Sequence, residues 1–213
     1  MSLGTTDILP AIREQDRFHI QQVFKPIANE YQISIPAPGS TEPGDQILYV
    51  KQKKLKIKED IRFRVPGGSD DEHVFMIKAK TVFDFAGKYD VLDAAGQKIG
   101  DIGKDFKKSL IRTHWVVRDA QENVVMQSRE SSMFIALLRR FAGFLPDGLD
   151  LLGWVPFNFT FFKDDPNQEY GTYTRVLGKL RDRYVLELTP ELRDVDRRLV
   201  VAMGVGLDAL QDR

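Results

Sequence analysis

The chain has 213 residues, with 31 Lys plus Arg against 31 Asp plus Glu. That balance argues against a whole-molecule field that draws in nucleic acid or a membrane, and leaves local patches as the place for charge-driven binding. No cysteine is present, so disulfides, thiolate metal sites and a cysteine nucleophile are excluded, while 42% apolar and 29% charged residues describe a globular chain of one domain or one large barrel.

The segment Met1-Ser2-Leu3-Gly4-Thr5-Thr6-Asp7 carries neither a basic nor an apolar stretch, so no secretory signal is expected there. Residues 8–33 are mixed and read as partly helical, with Asp16 as a candidate cap. The run from Ile35 to Gly44 is rich in Pro and Gly and reads as a loop. Residues 1–46 are therefore expected to be an N-terminal extension, helical in part or loop. It either docks on the main domain of residues 47–213 or swings free of it.

From Ile47 the period changes to two. Leu55, Ile57, Ile61 and Phe63 share one parity, and Lys54, Lys56, Lys58, Arg62 and Arg64 share the other. Side chains alternate across a strand, so this reads as a half-buried ribbon with one apolar and one cationic face, turning at Glu59-Asp60. Val74 to Phe85 reads as the next strand run, after a loop at Pro66-Gly67-Gly68. Two hairpins of similar pattern follow, Tyr89 to Ile99 and His114 to Val125. Asp93 and Asp119 open their turns, and Gly96 and Asn123 are the residues expected to take positive φ. Further hairpins are expected at Phe157 to Tyr173, turning at Asp164-Asp165-Pro166-Asn167, and at Tyr173 to Leu188.

Two segments read as helices. Ser131 or Ser132 can cap a helix from Met133 to Phe141, with Gly143 as its stop. Thr189-Pro190-Glu191 reads as the start of the second, which continues from Val195 to Leu210. Its run Leu199 to Leu207 is apolar all round, which requires burial in protein or membrane. Nine residues rise only about 14 Å, less than half a bilayer core, so burial in protein is expected. Gly204 and Gly206 cost helix propensity and suit a close approach of neighbouring side chains. Many strands plus one such helix point to a mainly β (α+β) fold, a closed antiparallel barrel around a buried apolar C-terminal helix.

Tyr49-Val50-Lys51-Gln52-Lys53, Phe75-Met76-Ile77-Lys78-Ala79-Lys80 with Tyr89 to Gly96, and Asp196-Arg197-Arg198-Leu199-Val200-Val201-Ala202-Met203 together resemble the LURP-one-related family. That family sits in a superfamily with tubby C-terminal domains and phospholipid scramblases. The resemblance covers about residues 47–210. It implies a barrel of about twelve antiparallel strands around a C-terminal helix, and little chemistry: tubby domains bind phosphoinositide headgroups through basic residues and scramblases act at membranes, but none of those ligands maps onto a particular lysine here. It supplies no catalytic motif to carry over. Residues 131–154 look like an apolar helical insert, longer than the connection the family has there.

The first candidate site is the cationic ribbon. Lys51, Lys53, Lys54, Lys56, Lys58, Arg62 and Arg64 face two acidic residues between Tyr49 and Arg64. Clustered cations can hold phosphoinositide-like headgroups at about 1 kcal/mol each. The plain reading is a solvated strand face whose lysines discourage edge pairing. The second is the insert, where Phe134, Leu137, Leu138 and Phe141 flank Arg139 and Arg140. It suits a membrane interface, a protein partner or self-association as a homo-oligomer; the plain reading is packing over a barrel end. His19, His73 and His114 show no ligand spacing, and Asp164 to Glu169 departs from a calcium loop. No nucleophile elbow, phosphate loop or dinucleotide fingerprint is present. The expectation is a non-enzymatic binding module without metal or cofactor, cytoplasmic or peripheral at a membrane. The alternative is an interaction protein acting through residues 133–154. A third reading, an enzyme with a barrel-mouth pocket, requires buried convergent polar groups.

Overall fold

A computed structural model describes residues 5–24, 28–53, 60–69, 71–79, 87–105, 113–131, 158–176 and 183–210. Twelve antiparallel strands pair in chain order, and the first closes on the last to complete a barrel. They are β1 (Arg17–Phe24), β2 (Ala28–Pro36), β3 (Pro43–Lys53), β4 (Ile61–Arg64), β5 (Phe75–Ala79), β6 (Lys88–Asp93), β7 (Lys98–Lys104), β8 (His114–Asp119), β9 (Val124–Glu130), β10 (Asn158–Phe162), β11 (Gly171–Arg175) and β12 (Arg183–Leu188). Helix α1 (Thr5–Arg13) precedes them and α2 (Arg197–Ala209) follows.

Alternation sets the inward face. Phe18 and Ile20 of β1, Tyr31 and Ile33 of β2, Phe63 of β4 and Phe75 of β5 all have no exposed surface. Phe63 and Phe75 stack across the β4–β5 pair with ring centroids 4.1 Å apart, and Tyr173 stacks on Tyr184 at 4.9 Å.

Helix α2 starts at Asp196, whose side chain accepts the Arg198 N–H. The expected start at Thr189-Pro190-Glu191 is instead a separate short turn of 3-10 helix, Pro190–Leu192. Leu199 to Leu207 are buried without exception. The helix packs against β1, β5, β7 and α1. At Gly204 a Cβ would lie 2.8 Å from Ile20 Cδ1 and 3.1 Å from Leu186 Cδ1, so the glycine lets β1 and β12 approach. Asp208 near its end accepts hydrogen bonds from Tyr31 and Tyr184, each at 2.8 Å.

The N-terminal extension is corrected. Residues 17–24 and 28–36 are β1 and β2, which close the ring between β12 and β3. Asp16 caps no helix; its carboxylate accepts from the Arg197 guanidinium at 2.7 Å. Pro10 lies inside α1, and Ile8 and Ile12 are fully buried. The turn residues of the two similar hairpins are confirmed at Asp93 and Asp119. Each Oδ1 accepts two backbone N–H groups, from Ala95 and Gln97 and from Gln121 and Asn123. Positive φ falls at Gly96 and at Glu122, not Asn123.

Candidate functional site

Leu48 and Val50 of β3 and Ile61 and Phe63 of β4 are buried in the core. Tyr49 stands opposite Arg64 and Val50 opposite Phe63. Alternation then turns Tyr49 and Lys51 outward beside Arg62 and Arg64. Of the predicted faces the described part is short: Ile61 and Phe63 turn inward and Arg62 and Arg64 outward, while Leu55 and Ile57 lie outside the described residues. Lys53 is the last residue of β3, while Lys54, Lys56 and Lys58 lie outside the described residues.

These cations have acidic neighbours. Glu30 of β2 pairs with Lys51 in the strand register, and Arg62 Nη1 is 4.0 Å from the Asp71 carboxylate. Arg64 and Glu30 are each 8% exposed. Lys51 and Arg62 are the more open of the ribbon's described cations, so they are the better placed to meet a ligand.

The strand order also locates the other candidate. Connections that follow odd-numbered strands all lie at one end of an antiparallel ring. The chain leaves β3 at Lys53 and re-enters at Ile61; it leaves β9 at Glu130 and re-enters at Asn158. These four points share that end. Phe134, Leu137, Leu138, Arg139, Arg140 and Phe141 lie outside the described residues, but they belong to a connection anchored there. Helix α2 runs toward the same end. Arg197 meets Gln15 and Asp16 just before β1, and Asp208 meets Tyr31 and Tyr184 near the starts of β2 and β12.

Two polar constellations were not foreseen. The first is Tyr31–Asp208–Tyr184, in which burial and then the Asp208 charge hold the Tyr31 hydroxyl far above the usual tyrosine range. Its sequence signal is a lone carboxylate directly after the apolar run Leu199 to Leu207. The second lies on the outer face of β6, β7 and β8. Asp101 there has no exposed side-chain surface, and it meets Arg118 at 3.0 Å, Lys98 at 3.2 Å and Lys88 at 3.4 Å. Glu122 bridges Lys88, at 2.8 Å, and Lys98. Asp90 adds a contact to Lys98 at 3.4 Å. Hydrogen bonds from Lys88 and then Lys98 hold the Glu122 carboxyl down at about 2. Burial works against the Lys98 charge, but its bonds to Glu122 and Asp101 outweigh that and raise its pKa. Three cations meet three carboxylates here, so the network is balanced and offers no spare charge.

A family model described as LURP-one-related matches residues 46–208. The chain belongs to the LURP-one-related family. The match opens within β3 and ends within α2, so this LURP-one-related chain carries β1 and β2 outside it. Among curated proteins, none matches the chain. No described helix is long and apolar enough to cross a membrane.

Proposed function

We propose that the protein is a binding module which docks anionic, phosphoinositide-like headgroups with one end of its barrel, acting peripherally at a membrane. The observation that carries this reading is topological. Lys53 and Ile61, which flank the cationic run, and Glu130 and Asn158, which flank the apolar one, lie at the same end of the ring, and this supports reading the two segments together. Cations beside apolar and aromatic residues suit a lipid interface, where headgroups meet the charge and acyl chains meet the rest.

The interior favours an external site. We read α2 as the filling of the barrel: Val200, Val201, Met203 and Val205 have no exposed surface, and strands on several sides of the ring touch the helix. Such an interior leaves little room for a ligand.

Co-sedimentation with liposomes tests the reading. Acidic liposomes should retain the protein at low salt and release it at high salt; neutral ones should not bind it. Changing Lys54, Lys56 and Lys58 together to Gln should weaken binding by about two orders of magnitude, from about 1 kcal/mol per cation. Equal binding by the folded triple variant would overturn the proposal. Failure to bind either liposome would move the search to a protein partner at the same end.

A further inference from the structure

The chain is neutral in total but not in place. Connections that follow even-numbered strands lie at the end of the ring opposite Lys53 and Ile61. They are residues 37–42, 65–74, 94–97, 120–123, 163–170 and 189–196, the last leading to α2, and all but Asp70 fall within the described residues. This described part holds ten carboxylates against two cations, Lys163 and Arg193. The whole chain balances 31 against 31, so the rest of it carries the matching excess of cations.

Cations close to this rim are already engaged. Lys163 holds Asp194 at 3.0 Å, Arg193 holds Asp16 at 3.4 Å, Arg198 holds Asp196 at 2.6 Å and Lys88 holds Glu122 at 2.8 Å. Glu42, Glu72, Asp164, Asp165, Glu169 and Glu191 are exposed and form no ion pair with a described residue. They come from four separate connections, so the charge is spread around the rim. Near the opposite end stand Lys51 of β3 and the exposed Lys78 of β5.

The two ends are far enough apart to act separately. β7 and β9 have seven residues each, which sets the rims roughly 15–20 Å apart in a tilted barrel. Charges are screened over about 10 Å at 0.1 M salt. The α2 macrodipole runs the other way, but it amounts to about half a charge at each end.

We propose that the acidic rim orients the molecule: it stands the barrel upright on an anionic membrane, with the Lys53 end down and the rim in solution. The proposal rests on the lipid-docking reading and adds the device that rejects every other approach. With the Lys53 end down, the rim lies beyond the screening length and costs little. A sideways or inverted approach brings unpaired carboxylates against the lipid phosphates, where like charges repel.

The test uses one label at each end, which the absence of cysteine makes unambiguous. Ser131→Cys, just past the end of β9, marks the Lys53 end, and Ala120→Cys marks the acidic rim; both positions are exposed. Each variant carries a fluorophore and meets phosphatidylserine-containing vesicles with a headgroup quencher, at about 0.1 M salt. The Ser131 label should be quenched several-fold more than the Ala120 label. Adding Asp164→Asn, Asp165→Asn, Glu169→Gln and Glu191→Gln together should raise quenching at Ala120, because other approaches open. Equal or stronger quenching at Ala120 in the otherwise wild-type protein, or no change on adding the four substitutions, would overturn the orientation alone. No binding to the vesicles would overturn the lipid reading and the orientation with it.

Discussion

Arg197 is 3% exposed, and its guanidinium donates to the Gln15, Leu192 and Val195 carbonyls as well as to Asp16. One side chain thus joins the residues before β1, the turn before α2 and α2 itself. Arg197→Met would strand several buried acceptors at once. Urea denaturation should show a loss of about 3 kcal/mol, the scale for removing one member of a buried charged network. Glu122 holds a φ of 66° at the position where the matching hairpin uses Gly96 at 79°. That conformation disfavours a side chain, and the bonds to Lys88 and Lys98 offset it. Because the Glu122 carboxyl titrates near 2, its contribution is complete above about 4.5 and disappears as the pH falls toward 2. The difference in Tm between wild type and Glu122→Gln should therefore be constant above pH 5 and shrink on acidification. The aspartates that open these two turns were legible in the sequence, because Asx turns depend on neighbouring residues alone. The positive φ was misplaced by one residue: a long-range ion pair makes Glu122 tolerable there, and no local rule contains that pair.

At the scale of elements, period two was readable wherever polar and apolar residues alternate without exception, as in β4. It was obscured in β1 and β2. β1 reads Arg-Phe-His-Ile-Gln-Gln-Val-Phe, and after Phe18 and Ile20 the next residue in the inward register is Gln22. Gln22 stands opposite Tyr31, itself bonded to Asp208, so the barrel interior turns polar there and the alternation fades. Arg62 and Arg64 were legible as the face opposite Ile61 and Phe63, whereas Lys51 joins them only through the pairing of β3 with β4. Close packing between elements gives two further expectations. A Cβ on Gly171 would lie 2.5 Å from the Glu187 carbonyl oxygen, which the β11–β12 pairing holds in place. Gly171→Ala should cost about 1–3 kcal/mol by thermal denaturation, as overpacking does. Val201 has no exposed surface, and Val201→Asp would bury an unpaired charge there. That variant should be insoluble or unfolded by circular dichroism; native stability would contradict the burial of α2.

At the scale of the molecule, a closed ring has no free edge, and β1 and β2 supply its closure. The family match starts at residue 46 and omits both. Deleting residues 1–42 would leave β3 and β12 as unpaired edges and remove the Asp16 and Tyr31 partners of α2. The shortened chain should aggregate in size-exclusion chromatography, whereas a folded monomer would show that the remaining ten strands can close by themselves. Domain extent was the least legible feature of the sequence, since closure joins residues that no local window contains together.

The seam between β1 and β12 also has a kinetic meaning. Arg17 and Glu187 meet across it from 170 positions apart. The loop-closure entropy of that pairing must be met before its contacts reward it, so refolding belongs with the slow, high-contact-order domains, on the scale of milliseconds to seconds. On the ribosome the first strand emerges long before its neighbour exists. β1 and β2 must wait as an incomplete hairpin until β12 is made. During that interval their outer edge is open to other chains, and a cell that makes this protein has to shield it.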